Sequence, residues 1–135
     1  MVTDALEESE EIIAKIVAHL AKAGVRQTDL STIILGYENN PASTQLFINA
    51  LRWLKDEGIF RQHALNATRG GTQHETVATN CVLTSLGFAL LAEPFRGELS
   101  LGSAVKNTVE SGSGYSNTGS FFGGILGGFT KSISS

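Results

Sequence analysis

The sequence predicts a mainly α domain with one small β-hairpin, an α+β fold, followed by a glycine- and serine-rich C-terminal segment. Three observations predict it. Apolar residues recur at helical spacing in three stretches before Gly58. Two strand-like stretches, Ile59 to Asn66 and Gln73 to Val82, flank the pair Gly70-Gly71, which suits a two-residue hairpin turn with positive φ at both positions. Composition changes after Pro94, and most of the glycines follow. The expected organisation is a domain over 1–96 and an extension over 97–135.

The first helix is expected in "SEEIIAKIVAHLAKAG", with Ser9 as cap and acidic residues in the first turn, where the helix dipole favours them. Ile12, Ile13, Ile16, Val17 and Leu20 make its apolar face, and Gly24 stops it. A second helix is expected in "RQTDLSTIILG", capped by Thr28 or Asp29, holding Leu30, Ile33, Ile34 and Leu35, and ending at Gly36. "YENNP" then reads as a turn. The third helix covers 43–57, capped by Ser43 or Thr44 and stopped by Gly58. Phe47, Ala50, Leu51 and Leu54 form its core stripe. Gln45, Asn49, Arg52 and Asp56 share the opposite face at about 100° per residue, with Ile48 and Trp53 flanking it. The hairpin occupies 59–82. "LTSLGFALLAE" is a short fourth helix with Thr84 as cap and Leu86, Leu90 and Leu91 turned inward.

The totals narrow the function classes. Net charge is −3, which argues against a general polyanion binder. The acid is concentrated in Asp4, Glu7, Glu8, Glu10 and Glu11, however, and residues 12–96 carry eight Lys/Arg against six Asp/Glu. That weakly basic region is compatible with nucleic acid. Cys81 is the only cysteine, so an intramolecular disulfide is impossible and a reducing, cytoplasmic setting is expected, with the thiol buried. The acidic N-terminus lacks the apolar region of a signal peptide, and no apolar run is long enough to span a bilayer.

No nucleophile signature, metalloprotease motif or phosphate-binding glycine loop is present; "GGILGGF" lacks the Lys-Ser/Thr of such a loop. The expectation is therefore a non-enzyme without a cofactor. His63, His74 and Cys81 invite a metal reading. With the turn at Gly70-Gly71, His74 faces Ala67 and His63 lies four residues further along that face, about 13 Å away, too far for a shared first shell. His19 is remote in sequence. No metal site is expected.

The order helix, helix, helix, hairpin, helix resembles the winged helix-turn-helix superfamily of bacterial and phage proteins. The resemblance covers roughly residues 9–93. It is carried by Leu51, Leu54, Gly58, Ile59 and Phe60, which match the phrase that leaves a recognition helix and enters the wing. Leu83, Thr84, Gly87, Leu90 and Leu91 match the "LTxxGxxLL" phrase that follows it. The resemblance implies that 43–57 is a recognition helix and 59–82 a wing. Gln45, Asn49 and Arg52 would then read bases in a major groove, a task suited to amide and guanidinium side chains. Ser43 and Thr44 would lie near a phosphate at the helix start, and Arg61 and Arg69 would contact backbone along the wing. The implied activity is transcriptional regulation by a DNA-binding protein, often a dimer. Against it, Asp56 shares the face, and Ile48 and Trp53 beside it suit a protein contact better than a groove. The alternative is a protein-interaction or assembly module on the same scaffold.

The C-terminal segment is patterned. "LSLGSAVKNTVES" makes a short helix with Leu101, Ala104, Val105 and Val109. In "SFFGGILGGFTKSI", Phe121, Phe122, Ile125, Leu126 and Phe129 share one helical face, predicting a docking helix over 119–133 against this domain or a second subunit. A free tail and shallow insertion in a membrane surface are the less favoured readings.

Overall fold

The computed structural model describes residues 5–38, 40–62, 64–66, 77–96 and 99–112. The fold is mixed α+β. Its elements in order are α1 (Ala5–Ala23), β1 (Thr28–Ser31), α2 (Pro41–Asp56), β2 (Phe60–Arg61), β3 (Ala64–Asn66), β4 (Val77–Leu83), α3 (Ser85–Ala92), β5 (Pro94–Arg96), β6 (Leu99–Ser100) and α4 (Leu101–Ser111). β2 and β3 form two parts of one lane, so the main sheet has three antiparallel lanes, with β4 between β1 and β2/β3. β5 and β6 pair as a separate two-stranded ribbon.

α1 is the centre of the packing. Ile12, Ala14, Ile16, Val17 and Leu20 are buried, and the helix contacts α2, α4, β1 and β4. It begins at Ala5, so Ser9 lies inside it and is not its cap. Residues 5–8, "ALEE", are good helix formers and let the helix extend past the serine.

The expected second helix is reduced to one turn. Thr28–Ser31 is extended and pairs with β4, because Leu30 and Ser31 are buried there against a strand that offers backbone partners. The helical turn over 32–36 is capped by Ser31, whose Oγ accepts from Ile34 N–H at 3.1 Å. Tyr37 N–H donates to Thr32 O at 2.9 Å and Gly36 N–H to Ile33 O at 3.0 Å, the bond pair that closes a helix C-terminus. Neither Thr28 nor Asp29 caps a helix. Asp29 Oδ1 instead accepts from Asn80 N–H at 3.2 Å.

That bond secures a β-bulge. Thr28 faces Cys81 while Leu30 faces Ala78, so β4 carries one extra residue, and Asn80 has φ of +55°. Strict alternation would place 78, 80 and 82 on one face. The bulge resets the alternation, so Ala78, Cys81 and Leu83 are all buried.

The hairpin forms in the expected region with a different register. Phe60 faces Leu83, Arg61 faces Val82 and Ala64 faces Thr79. A turn centred on Gly70-Gly71 would set Phe60 opposite Cys81; the ladder is displaced two residues along β4. His63 and His74 lie outside the described residues. The anchor is the far end of the hairpin, where Thr84 is bonded to Gly58 and Ile59. The tip, with Gly70, Gly71 and Arg69, lies outside the described residues.

The packed core continues past the composition change expected to end the domain at 96. β5 and β6 straddle that point and pair with each other, and α4 packs on α1 and α3 with Leu101, Ala104 and Val105 buried. Ser100 caps α4, accepting from Ser103 N–H at 3.2 Å.

Candidate nucleic-acid interface

α2 runs from Pro41 to Asp56, two residues earlier than expected. Pro41 occupies the first turn, where its fixed φ fits and its missing N–H costs nothing. The cap is Asn40, whose Oδ1 accepts from Ser43 N–H at 2.9 Å. Ser43 and Thr44 are therefore half-buried residues of the first turn and not caps.

The two faces of α2 divide as the periodicity predicts. Phe47, Ala50, Leu51 and Leu54 are buried. Gln45, Asn49, Arg52 and Asp56 are exposed on the other side, with Trp53 37% exposed beside them and Ile48 half-buried. Gln45 Nε2 donates to Asn49 Oδ1 at 3.0 Å, one turn apart. That bond leaves the Gln45 carbonyl as an acceptor and the Asn49 amide hydrogens as donors, the pair of functions that an adenine edge complements.

The C-terminus of α2 fixes the angle between this face and the hairpin. Gly58 has φ of +78°, a backbone that side-chain-bearing residues rarely adopt. Its N–H donates to Lys55 O at 2.9 Å, and Ile59 N–H donates to Leu54 O at 3.0 Å. The chain reverses at once into β2, where Arg61 is exposed. α3 then seals the corner. Thr84 N–H donates to Ile59 O at 3.0 Å, and the single hydrogen of the Thr84 hydroxyl is shared between the carbonyls of Gly58 and Ile59. The same oxygen accepts from Gly87 N–H at 3.1 Å, capping α3. Gly87 lies so close to the corner that a Cβ there would meet Ile59 O at 2.3 Å and Leu83 Cδ2 at 2.9 Å.

Arg52 and Arg61 are thus set by one rigid corner. The corner also brings in two residues that the sequence reading missed. Lys55 and Gln62 join Ile48, Leu51 and Arg52 around a shallow cleft of about 250 Å³ between α2 and the foot of the hairpin. Lys55 carries a readable signal, since it follows Arg52 by three residues on the same side of the helix. Gln62 carries none, because its place depends on how the chain reverses at Gly58. Among the described residues, Arg52, Lys55 and Arg61 have no ion-pair partner. Asp56 and Glu57 temper their charge nearby. Arg69, Phe121, Phe122, Ile125, Leu126 and Phe129 lie outside the described residues.

Among the described residues, no group of three or more His, Cys, Asp or Glu side chains is placed to hold a metal ion. His19 Nε2 and Thr28 Oγ1 are hydrogen-bonded at 3.0 Å, tying α1 to β1, and burial lowers the His19 pKa, with the Lys22 charge adding to that. Cys81 is fully buried, and burial pushes its thiol up to about 12, with the Asp29 charge adding to the shift. No described helix is long and apolar enough to cross a membrane. Comparison with known proteins finds no matching family model, no matching curated protein and no matching solved structure.

Proposed function

We propose that this is a winged helix-turn-helix protein that binds duplex DNA as a non-enzymatic regulator, with α2 in the major groove and the hairpin as wing. The observation that carries the reading is the exposed face of α2. An amide pair and a guanidinium with no ion-pair partner among the described residues stand on a helix whose other face is core, beside the exposed Arg61 at the hairpin foot. The corner at Gly58 and Thr84 supports the reading, because it gives the two motif phrases a common physical role, while the expected middle helix is present only as the single turn over 32–36. Arg52, with Gln45 and Asn49, reads bases; Lys55, Arg61 and Arg69 contact phosphates, and Ser43 and Thr44 lie near the strand at the helix start. A homodimer in the cytoplasm, reading paired half-sites, compensates for a weakly charged monomer face.

The test is binding to a random pool of duplex DNA across a salt series. Affinity is expected to fall as salt rises, because phosphate contacts displace condensed cations. Absence of binding at low salt removes the reading. A second reading, an assembly module using Ile48, Trp53 and the apolar residues of 121–129, is favoured by the exposure of Trp53 on the same face. In that case Trp53→Ala breaks an oligomer or a partner complex and leaves DNA binding absent in both forms.

A further inference from the structure

A second concave site lies away from the α2 face, between the C-terminal half of α1, the turn over 32–36 and α4. It has a volume of about 210 Å³ and is lined by Lys15, Ala18, His19, Lys22, Ile34, Leu35, Lys106, Val109 and Glu110. Its floor and one wall are apolar, from Ala18, Ile34, Leu35 and Val109. Ile34 is 44% exposed there although it is a large aliphatic residue. Its rim is cationic. Three lysines stand against one glutamate, in a chain whose overall charge is −3.

The three lysines are not equivalent. Lys15 is already engaged: its Nζ lies 3.9 Å from Glu11 Oε2 and 4.4 Å from the centroid of the Tyr37 ring. Tyr37 in turn donates its hydroxyl hydrogen to Glu11 Oε2 at 3.1 Å, which pins the turn to α1 and holds that wall in place. Lys22 and Lys106 are exposed, sit on different helices, and have no ion-pair partner among the described residues. Two ammonium groups from separate elements, without ion-pair partners among the described residues, thus line one partly apolar depression. That combination suits a ligand with an anionic head and a short apolar body, since each part has a complementary surface and neither helix alone supplies both.

We propose that this groove binds a small amphipathic anion, a carboxylate or phosphate monoester with a short aliphatic or monoaromatic body. The anion is held between Lys22 and Lys106, and the apolar part lies on Ala18, Ile34, Leu35 and Val109. The volume is below the roughly 300–1,000 Å³ of ordinary small-molecule sites, so the body is short. The proposal is independent of DNA binding, because none of these residues belongs to the α2 face.

The experiment uses the full chain and three probes: octanoate, octanol and inorganic phosphate, each titrated while amide and His19 ring signals are followed by NMR. Octanoate is expected to give saturable shifts confined to 15–22, 34–35 and 106–110, and to raise the His19 pKa by placing a negative charge beside the imidazole. Octanol, with the same chain and no charge, binds more weakly, and inorganic phosphate gives no saturable shift. The double variant Lys22→Gln/Lys106→Gln changes only exposed side chains and is expected to weaken octanoate roughly three- to thirtyfold, the range for two partly exposed charge contacts. Ile34→Glu, which sets a carboxylate on the wall, weakens it as well, and circular dichroism checks that both variants keep the fold. The proposal is overturned if octanoate gives no saturable shift at these residues. It is overturned equally if both variants bind octanoate as the natural sequence does. Inorganic phosphate binding as well as octanoate also sinks it, because the groove then responds to charge alone.

Discussion

The corner at Gly58–Ile59 and the outer face of α2 are adjacent in the chain and opposite in character. At the corner, one threonine hydroxyl and one backbone N–H meet two carbonyls, and a glycine packs where no Cβ fits. On the outer face, side chains stand in solvent, joined by a single amide–amide bond. The residues that carry the winged-helix resemblance lie in and behind the corner; the outer face holds those to which the resemblance assigns a role. Thr84, Gly87 and Gly58 are required by geometry. They report how a helix, a strand and a second helix meet, and they are silent about any ligand. Under the DNA reading the ligand is met by the other region, where packing imposes almost nothing on residue choice.

This contrast is sharpest under substitution. Gly87→Ala should have the largest effect on stability, a loss of about 3 kcal/mol, because the new methyl meets a backbone carbonyl that cannot move without opening the corner. Urea denaturation measures it, and a loss near zero shows that α3 can lift away freely. Thr84→Ala follows at about 1–2 kcal/mol, from the lost cap and the lost hydroxyl bond to the Gly58 carbonyl, and Thr84→Ser should recover most of that. If serine does no better than alanine, the hydroxyl is not what holds the corner.

Two titrating groups give smaller, pH-dependent effects. His19 has a lowered pKa in the folded protein, so the unfolded chain takes up the proton first. Its contribution to stability is complete above the ordinary imidazole value of 6.5 and is lost as pH falls through the folded value. The urea midpoint of the natural sequence should therefore drop more between pH 7.5 and pH 5 than that of His19→Gln. Parallel curves refute the assignment. Cys81 works in the opposite sense. Its raised value keeps the buried thiol neutral, so its contribution persists below the ordinary thiol range and is lost as pH rises toward about 12. At pH 8 the native protein should resist a thiol reagent that labels the urea-unfolded chain fully; rapid native labelling would mean that β4 opens readily.

The outer face should show the smallest stability effects. Arg52→Ala is expected to change stability by less than about 0.5 kcal/mol, as exposed sites do. Under the DNA reading the same change lowers affinity for a preferred site by about 1–3 kcal/mol and leaves other sequences nearly unaffected, as competition binding would show. Equal losses on every sequence would make Arg52 a phosphate contact rather than a base reader.

The sequence by itself determined the elements whose signals are local. α2 and its core stripe follow from periodicity, Gly58 marks its end, Thr84 caps α3, and Leu101, Ala104 and Val105 mark α4. The exposed face with Gln45, Asn49 and Arg52 was legible for the same reason, since a helix buries one side and leaves the other in water. Tertiary structure alone decided the rest. "TDLS" has no strong preference of its own, and the unpaired edge of β4 draws it into the sheet in place of a helix. The hairpin register was set from the Thr84 end, outside the turn from which it was read. The bulge at Asn80 depends on Asp29, 51 residues away. Gln62 reaches the α2 cleft, and Lys22 and Lys106 line one groove, only because distant segments pack together. Hydrogen bonds and burial between such segments outweigh weak local propensities, and no window of the sequence contains both partners.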